Sequence, residues 1–353
     1  MNNVVVIEQK KRIGYLDALR GFTMFLVVFA HVEFFGFGMH LGDSLIGSLF
    51  VTFRMPMFFF ISGFIAFKLV EWDCSYYKMM MKKKALVQII PTLFFFYLSS
   101  FFHGNDILSF FTKGPQGYWF TVVLFYMFVL YYSTMFLCRT RKPWVSDFVL
   151  VSLSIIGALT YIGSMKFYSL GSYPLLCLTN LSRYFEFFVL GNLCRKYQNR
   201  FFQFISCEAV KAVLFLSFLL LFILDWNNTL ISVSFLNIFN HEFVIRFIGL
   251  LFVFSIFYNY KAFFDGPTSI ANTFRFIGQR TLDIYLIHYV LLPDLRYLKN
   301  ALLGPLSSQN TIIELSVVFI LTTLIVLLCL VISFIIRSSS FLGHYLLGAK
   351  LVK

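Results

Sequence analysis

Ten long apolar runs divide the chain, near residues 15–37, 45–70, 85–103, 117–138, 145–165, 174–194, 209–226, 241–260, 278–297 and 312–336. About 20 apolar residues wound as a helix span the hydrocarbon of a bilayer, where no water satisfies an exposed backbone group. The pattern predicts an all-α polytopic membrane protein of about ten transmembrane helices. Composition points the same way. Of 353 residues, 59% are hydrophobic and only 13% charged, against about 25% charged in a soluble domain. An aromatic content of 20%, with 49 Phe, excludes a disordered, collagen-like or coiled-coil chain.

A formal net charge of +13 raises the question of nucleic acid, and the placement of the charge answers it. Of the 29 Lys and Arg, Lys113, Lys166, Arg296 and Lys299 fall on one side of the runs, and Arg20, Arg54, Arg183 and Arg246 fall within them. All the others lie on the opposite side, among them Lys10, Lys11, Arg12, Lys82, Lys83, Lys84, Lys350 and Lys353. Basic loops stay in the cytoplasm, so both termini are expected there and the chain is expected to be multi-pass in the cytoplasmic (inner) cell membrane. The positive charge is then topology, and no nucleic-acid partner is implied.

One membrane domain covers 1–353, with 1–14 a cytoplasmic N-terminus, 15–336 the bundle and 337–353 a cytoplasmic or interfacial tail. Asp17 and Arg20 interrupt the first run, which argues against a cleaved signal peptide. Phe341, Leu342, Tyr345, Leu346 and Leu347 beside Lys350 and Lys353 suit a short interfacial helix. The six Cys, at 74, 138, 177, 194, 207 and 329, show neither CxxC nor His at metal spacing, so neither disulfides nor a metal site is expected.

Ionisable groups inside spans are expensive and mark functional candidates. Here they are Asp17, Arg20, His31, Glu33, Arg54, Arg183, Glu186, Glu242, Arg246, Asp283 and His288. Taken singly, each reads equally well as a polar contact between helices. Asp17, Arg20 and His31 are harder to dismiss. At about 100° per residue, Arg20 and His31 differ by only about 20° around the axis, and their axial separation is about 16 Å. Asp17, three residues before Arg20, joins the same stripe, which must face protein or water. Glu33 points away from His31. Arg54, Arg183 and Arg246 lie at outer-half to central depths like His31, and their convergence would make an anion or oxyanion site. Arg183 with Glu186, and Glu242 with Arg246, are equally read as intrahelical ion pairs.

Arg12-x3-Leu16-Asp17-x-Leu19-Arg20-Gly21, followed by Val27, Val28 and His31, resembles the signature of the membrane acyltransferase-3 family. Arg54-Met55-Pro56-Met57-Phe58-Phe59-Phe60-Ile61-Ser62-Gly63 is similar to that family's Met-Pro-x-Phe-Phe-x-x-Ser-Gly element, and Tyr118-Trp119-Phe120 to its Trp-Phe element. Tyr184-Phe185-Glu186-Phe187-Phe188-x-x-Gly191 and the late Ile277-Gly278-x-x-Thr281-Leu282-x-Ile284-Tyr285-Leu286-Ile287-His288 resemble two further segments, in order along nearly the whole chain. Two features depart from the pattern: Arg54 stands where many sugar O-acetylases have His, and no hydrolase-like domain follows the bundle.

The resemblance implies an O-acyltransferase. It would move an acyl group, usually acetyl, from cytoplasmic acyl-CoA to a hydroxyl of a surface polysaccharide, glycolipid or lipid-linked sugar, with no tightly bound cofactor. By motif position Arg20 and His31 correspond to the family's essential residues, with Asp17 beside them. A sugar hydroxyl needs a base near neutrality, and acyl transfer passes through an oxyanion. His31 is the candidate base or acyl carrier. Arg20, Lys82, Lys83 and Lys84 are assigned to the CoA phosphates. Arg54 or Arg183 is placed at the reacting carbonyl, and Trp119, Glu186, Arg246 and His288 complete the candidate substrate site. His288 also reads as a packing histidine. Two rival classes remain. A glycan-precursor transporter or flippase should show inverted repeats or matched broken helices, and the chain has Pro56 and Pro91 but no matched second half. A glycan polymerase should carry a long external loop, and none is evident.

Overall fold

A computed structural model describes residues 12–40, 42–102, 104, 110, 114–166, 177–227, 241–304 and 310–349. Residues 1–11 of the expected N-terminus lie outside the described residues, as do Lys113, 174–176 of the sixth run, and Lys350 and Lys353 of the tail. Among the described residues every regular element is a helix. In chain order they are α1 Gly14–His31, α2 Leu45–Ala66, α3 Cys74–Phe102, α4 Trp119–Leu137, α5 Pro143–Lys166 and α6 Leu178–Lys196. Then come α7 Gln198–Ser206, α8 Glu208–Trp226, α9 His241–Asn259, α10 Lys261–Asp265, α11 Ser269–Gln279, α12 Thr281–Leu291, α13 Lys299–Leu303, α14 Thr311–Ser338 and α15 Ser340–Leu347.

The chain is an integral membrane protein, and among the described residues eight helices are long and apolar enough to cross a bilayer. Two of the ten expected spans fall short, for different reasons. The sixth, α6, is long enough but carries Arg183, Glu186, Arg195 and Lys196. The ninth is broken: α12 has 11 residues, about 16 Å at 1.5 Å per residue, roughly half the hydrocarbon thickness.

Central and peripheral helices divide the work. The apolar window of α1 is 67% buried within the protein, and that of α14 only 28%. Leu328, Val331, Phe334 and Ile335 of α14 are accordingly exposed to the surroundings, as are Leu216, Leu220 and Ile223 of α8. In a bilayer those faces meet lipid, so the ionisable stripe of α1 can stay inside protein.

Two glycine crossings hold the centre. The most extensive helix contacts are α1 with α11 and α2 with α6. At the first, a side chain on Gly21 would strike the Phe274 carbonyl, and one on Gly278 the Asp17 carbonyl. At the second, Gly63 faces the Phe188 carbonyl and Gly191 the Phe60 carbonyl. Close backbone approach through small residues is how membrane helices gain packing energy without a hydrophobic drive. All four glycines belong to the motifs that carry the sequence resemblance.

Helix ends are capped by polar side chains. Asp265 accepts the Tyr15 N–H at 2.7 Å, a carboxylate placed where the dipole of α1 favours it. Ser44 caps α2, accepting from Gly47 N–H at 2.9 Å while donating to Glu33 Oε1 at 2.9 Å. Asp283 of α12 is held by Arg337 of α14 through a fork of two 2.7 Å bonds and by Ser333 at 2.5 Å. Asp283 is therefore a structural charge. A short helix, α15, follows α14 in the tail and packs on α14 and α3.

Candidate active site

The stripe of α1 serves two places. At the end where Arg12 lies, Arg20 pairs with Asp17 (Nη1–Oδ1 3.8 Å) and donates to Thr281 Oγ1 at 2.8 Å. Asp17 also faces Arg12 at 3.9 Å. At the other end α1 passes into a π-helical turn, Val32–Gly36, a distortion that often accompanies functional positions. His31 stands at that junction. Asp17 stands at the Arg20 end, as its three-residue spacing from Arg20 implies.

His31 is bonded to two successive residues of α12. Its Nδ1 lies 2.8 Å from His288 Nε2, and the rings are parallel within 5° at 5.0 Å. His288 Nδ1 lies 2.9 Å from the Ile284 carbonyl, and Tyr289 Oη lies 3.1 Å from His31 Nε2. The proton positions follow from the acceptors. A carbonyl only accepts, so His288 Nδ1 carries the hydrogen. In the neutral ring His288 Nε2 then accepts, which makes His31 Nδ1 a donor. That leaves the lone pair of His31 Nε2 to receive the Tyr289 hydroxyl. His288, fully buried, is thus more than packing: it sets the tautomer and orientation of His31.

His31 opens on a cleft of about 680 Å³ that is also lined by Arg54, Tyr118, Trp119 and Tyr289. Arg54 is 8% exposed, and its Nε and Nη1 have no hydrogen-bond partner among the described residues. Its guanidinium lies 5.7 Å from the Phe34 ring centre. At the rim Arg296 donates to Asp294 through Nε at 2.9 Å, and this contact holds the Asp294 carboxyl down to about 2.

The other two candidate arginines are elsewhere. Arg183 donates to Glu242 at 3.1 Å from the neighbouring helix, and Arg246 donates to the same Glu242 oxygen within α9. Of the two expected intrahelical pairs, Glu242 with Arg246 forms. Arg183 is paired to Glu242 across helices instead of to Glu186. Glu186 is buried, and neither of its carboxyl oxygens has a hydrogen-bond partner among the described residues. Trp119 stacks on Tyr184 at 5.7 Å, and the Arg183 and Arg246 guanidinium carbons lie 5.5 and 5.9 Å from the same Tyr184 ring. An aromatic pair therefore links the cleft to the arginine cluster, and Arg183 and Arg246 line a separate small cavity with Glu186, whereas Arg54 lines the cleft.

A second cavity, of about 350 Å³, lies at the basic end, where Arg20, Lys68, Lys83 and Lys84 share its wall with Met24, Phe58 and Tyr285. Lys84 Nζ sits 3.3 Å from the Phe128 ring centre. Lys82 is exposed and outside the lining. Lys68 takes the place expected for it. The two cavities are back to back: Met55, Phe120 and Tyr285 line the basic one, while Arg54, Trp119 and Tyr289 line the cleft. Tyr285 Oη pins this partition, donating to the Gly117 carbonyl at 2.8 Å and accepting the Phe120 N–H at 3.2 Å. Tyr285 and Tyr289 were the residues sequence reasoning missed. Their signal was spacing, since positions four apart share a helix face.

The family model described as an acyltransferase domain matches residues 13–333. No curated protein and no solved structure matches the chain.

Proposed function

The chain belongs to the acyltransferase-3 family, and from that premise we propose that it is an O-acetyltransferase of membrane-associated carbohydrate. In this reading acetyl-CoA is the co-substrate and the acceptor is a hydroxyl of a polysaccharide, glycolipid or lipid-linked sugar. The observation that carries the reading is the His31 Nε2 lone pair, its tautomer set by His288 and its direction toward the Tyr289 hydroxyl, in a cleft shared with Arg54, whose Nε and Nη1 have no partner among the described residues.

Each residue has a defined part. Arg20, Lys83 and Lys84 offer cations to the CoA phosphates at the basic cavity, joined by Lys68; these are charge-assisted contacts. With the termini cytoplasmic, that cavity faces the compartment that holds acyl-CoA and the His31 cleft faces outward. The thioester then approaches His31 past Phe120 and Tyr285. His31 Nε2 takes the proton of the attacking hydroxyl, and His288 stabilises the resulting imidazolium by accepting from Nδ1–H. Arg54 donates its free N–H groups to the oxyanion of the tetrahedral intermediate. As the C–S bond breaks, His31 returns the proton to the departing thiolate. Trp119 gives the cleft a flat wall for a sugar ring, backed by Tyr184 stacked on it.

Detergent-solubilised protein, mixed with acetyl-CoA and a glycolipid extract of its own membranes, should release CoA thiol only when acceptor is present. Correctly folded His31→Ala protein should lose about 10²–10⁴-fold of that rate. Wild-type turnover in His31→Ala would sink the mechanism. Absence of thiol release from wild-type protein would favour a transporter.

A further inference from the structure

We propose that Tyr289 is the nucleophile that first receives the acyl group, so that the enzyme carries it as an aryl ester before the acceptor takes it. The proposal rests on the acyl-transfer reading above and names the hydroxyl that attacks the thioester.

The geometry is that of an activated nucleophile. A nucleophile within hydrogen-bond reach of a base, the base oriented by a third group, is the arrangement that generates covalent intermediates. Here Tyr289 Oη is 3.1 Å from His31 Nε2, His31 Nδ1 is 2.8 Å from His288 Nε2, and His288 Nδ1 is 2.9 Å from the Ile284 carbonyl. Each bond fixes the direction of the next, and the chain ends on the phenol.

The seat of the ring supports the role. Tyr289 packs at 5.1 Å from Tyr118 and 5.8 Å from Phe35. It leaves no room at Gly117, where a Cβ would strike the Tyr289 ring and approach its hydroxyl at 2.7 Å. Tyr285, one turn earlier on α12, lines the basic cavity, whereas Tyr289 lines the cleft. An acyl group bonded to Tyr289 Oη has therefore left the donor cavity and stands where the acceptor enters. Donor and acceptor then use their cavities in turn and never need to meet.

The steps balance. As Oη bonds to the thioester carbonyl carbon, its proton passes to His31 Nε2. The C–S bond breaks, and the thiolate leaves with that proton. His31 next takes the proton of the acceptor hydroxyl, whose oxygen bonds to the same carbon. The Oη–C bond breaks, and the tyrosinate recovers the proton. A phenol is a better leaving group than an aliphatic alcohol, and protonation of the departing oxygen by His31 lets the aryl ester pass its acyl group to a sugar hydroxyl. Arg54 serves both tetrahedral intermediates from its place in the cleft.

The test uses full-length protein in detergent with acetyl-labelled acetyl-CoA and no acceptor. Expected are covalent label on the peptide holding Tyr289 and a burst of thiol equal to the enzyme present. Tyr289→Phe, with an unchanged melting temperature, should lose both. Gly117→Ala, which keeps the hydroxyl but displaces the ring, should lower the label yield. Label on the His31 peptide that survives in Tyr289→Phe overturns the proposal. So does steady thiol release with the membrane glycolipid extract, in wild type without label. In either case the acyl-transfer reading stands. Wild-type protein that neither takes label nor releases thiol removes both.

Discussion

Arg54 and Arg246 are buried almost equally, at 8% and 7% exposure, and both sit inside long helices. Their surroundings are opposite. Arg246 donates to Glu242 one turn earlier in its helix, and Glu242 also receives Arg183 from α6. Arg54 has two N–H groups with no acceptor among the described residues and stands in the cleft that holds His31. A buried ion pair roughly cancels its own desolvation, whereas an unpaired buried charge is a standing cost. Such costs persist at sites where they serve binding or chemistry. One arginine is held in an ion pair; the other keeps two N–H groups without an acceptor among the described residues. The membrane rule that flags intramembrane charge cannot tell them apart, and only their partners can.

That contrast can be broken or sharpened by mutation. The largest effect is expected at Arg54: Arg54→Met should cut kcat by about 10²–10³, the range for losing an oxyanion donor. Its melting temperature should hold or rise, since an uncompensated charge is removed. A fall in stability with normal kcat would place Arg54 with the structural arginines. Arg20→Ala should act on the donor, raising the KM for acetyl-CoA by about 10–100-fold, the equivalent of ~1.5–3 kcal/mol for a charge-assisted bond. Raised salt should shrink that difference; an unchanged KM would remove Arg20 from phosphate binding.

Glu242→Gln should do the reverse of Arg54→Met. It strands Arg183 and Arg246 and should destabilise the protein by ~1–3 kcal/mol, toward the low end because the Glu242 side chain is 40% exposed. The rate per folded molecule should change little, and a kcat loss matching that of Arg54→Met would merge the two regions. The smallest effect is expected at the rim of the cleft end. The His40 backbone N–H, then Lys299, hold the Asp43 carboxyl below its ordinary range. A depressed carboxylate stabilises the fold above the unfolded pKa, about 4, and loses that contribution as pH falls through the folded value. Asp43→Asn should therefore lower the melting temperature slightly at pH 7 and not at all near pH 2. An equal effect at both would mean the charge contributes nothing.

Much of the fold was legible because lipid imposes a simple rule on sequence. Helix class, eight of the ten expected spans and the places of Gly21, Gly63, Gly191 and Gly278 in their motifs were readable in the chain. The ninth run misled because apolarity reports burial and not helix length: residues 278–297 are apolar, but α12 ends at Leu291. Within the site, Arg20 and His31 were found by angular arithmetic on one helix. Lys82 was assigned with its neighbours Lys83 and Lys84, and it lies outside the lining of the basic cavity. His288 read equally as packing, because a histidine's role lies in what its two nitrogens meet.

Sequence by itself determined that this chain lives in a membrane and which few charged residues lie within its spans. Both follow from composition and period, which depend on one helix at a time. Tertiary structure alone decided that His31 meets His288 and Tyr289, 257 and 258 residues away, and that Arg54 keeps two N–H groups without an acceptor among the described residues while Arg246 is paired. Those are relations between helices, settled by glycine-mediated crossings whose geometry no single helix encodes.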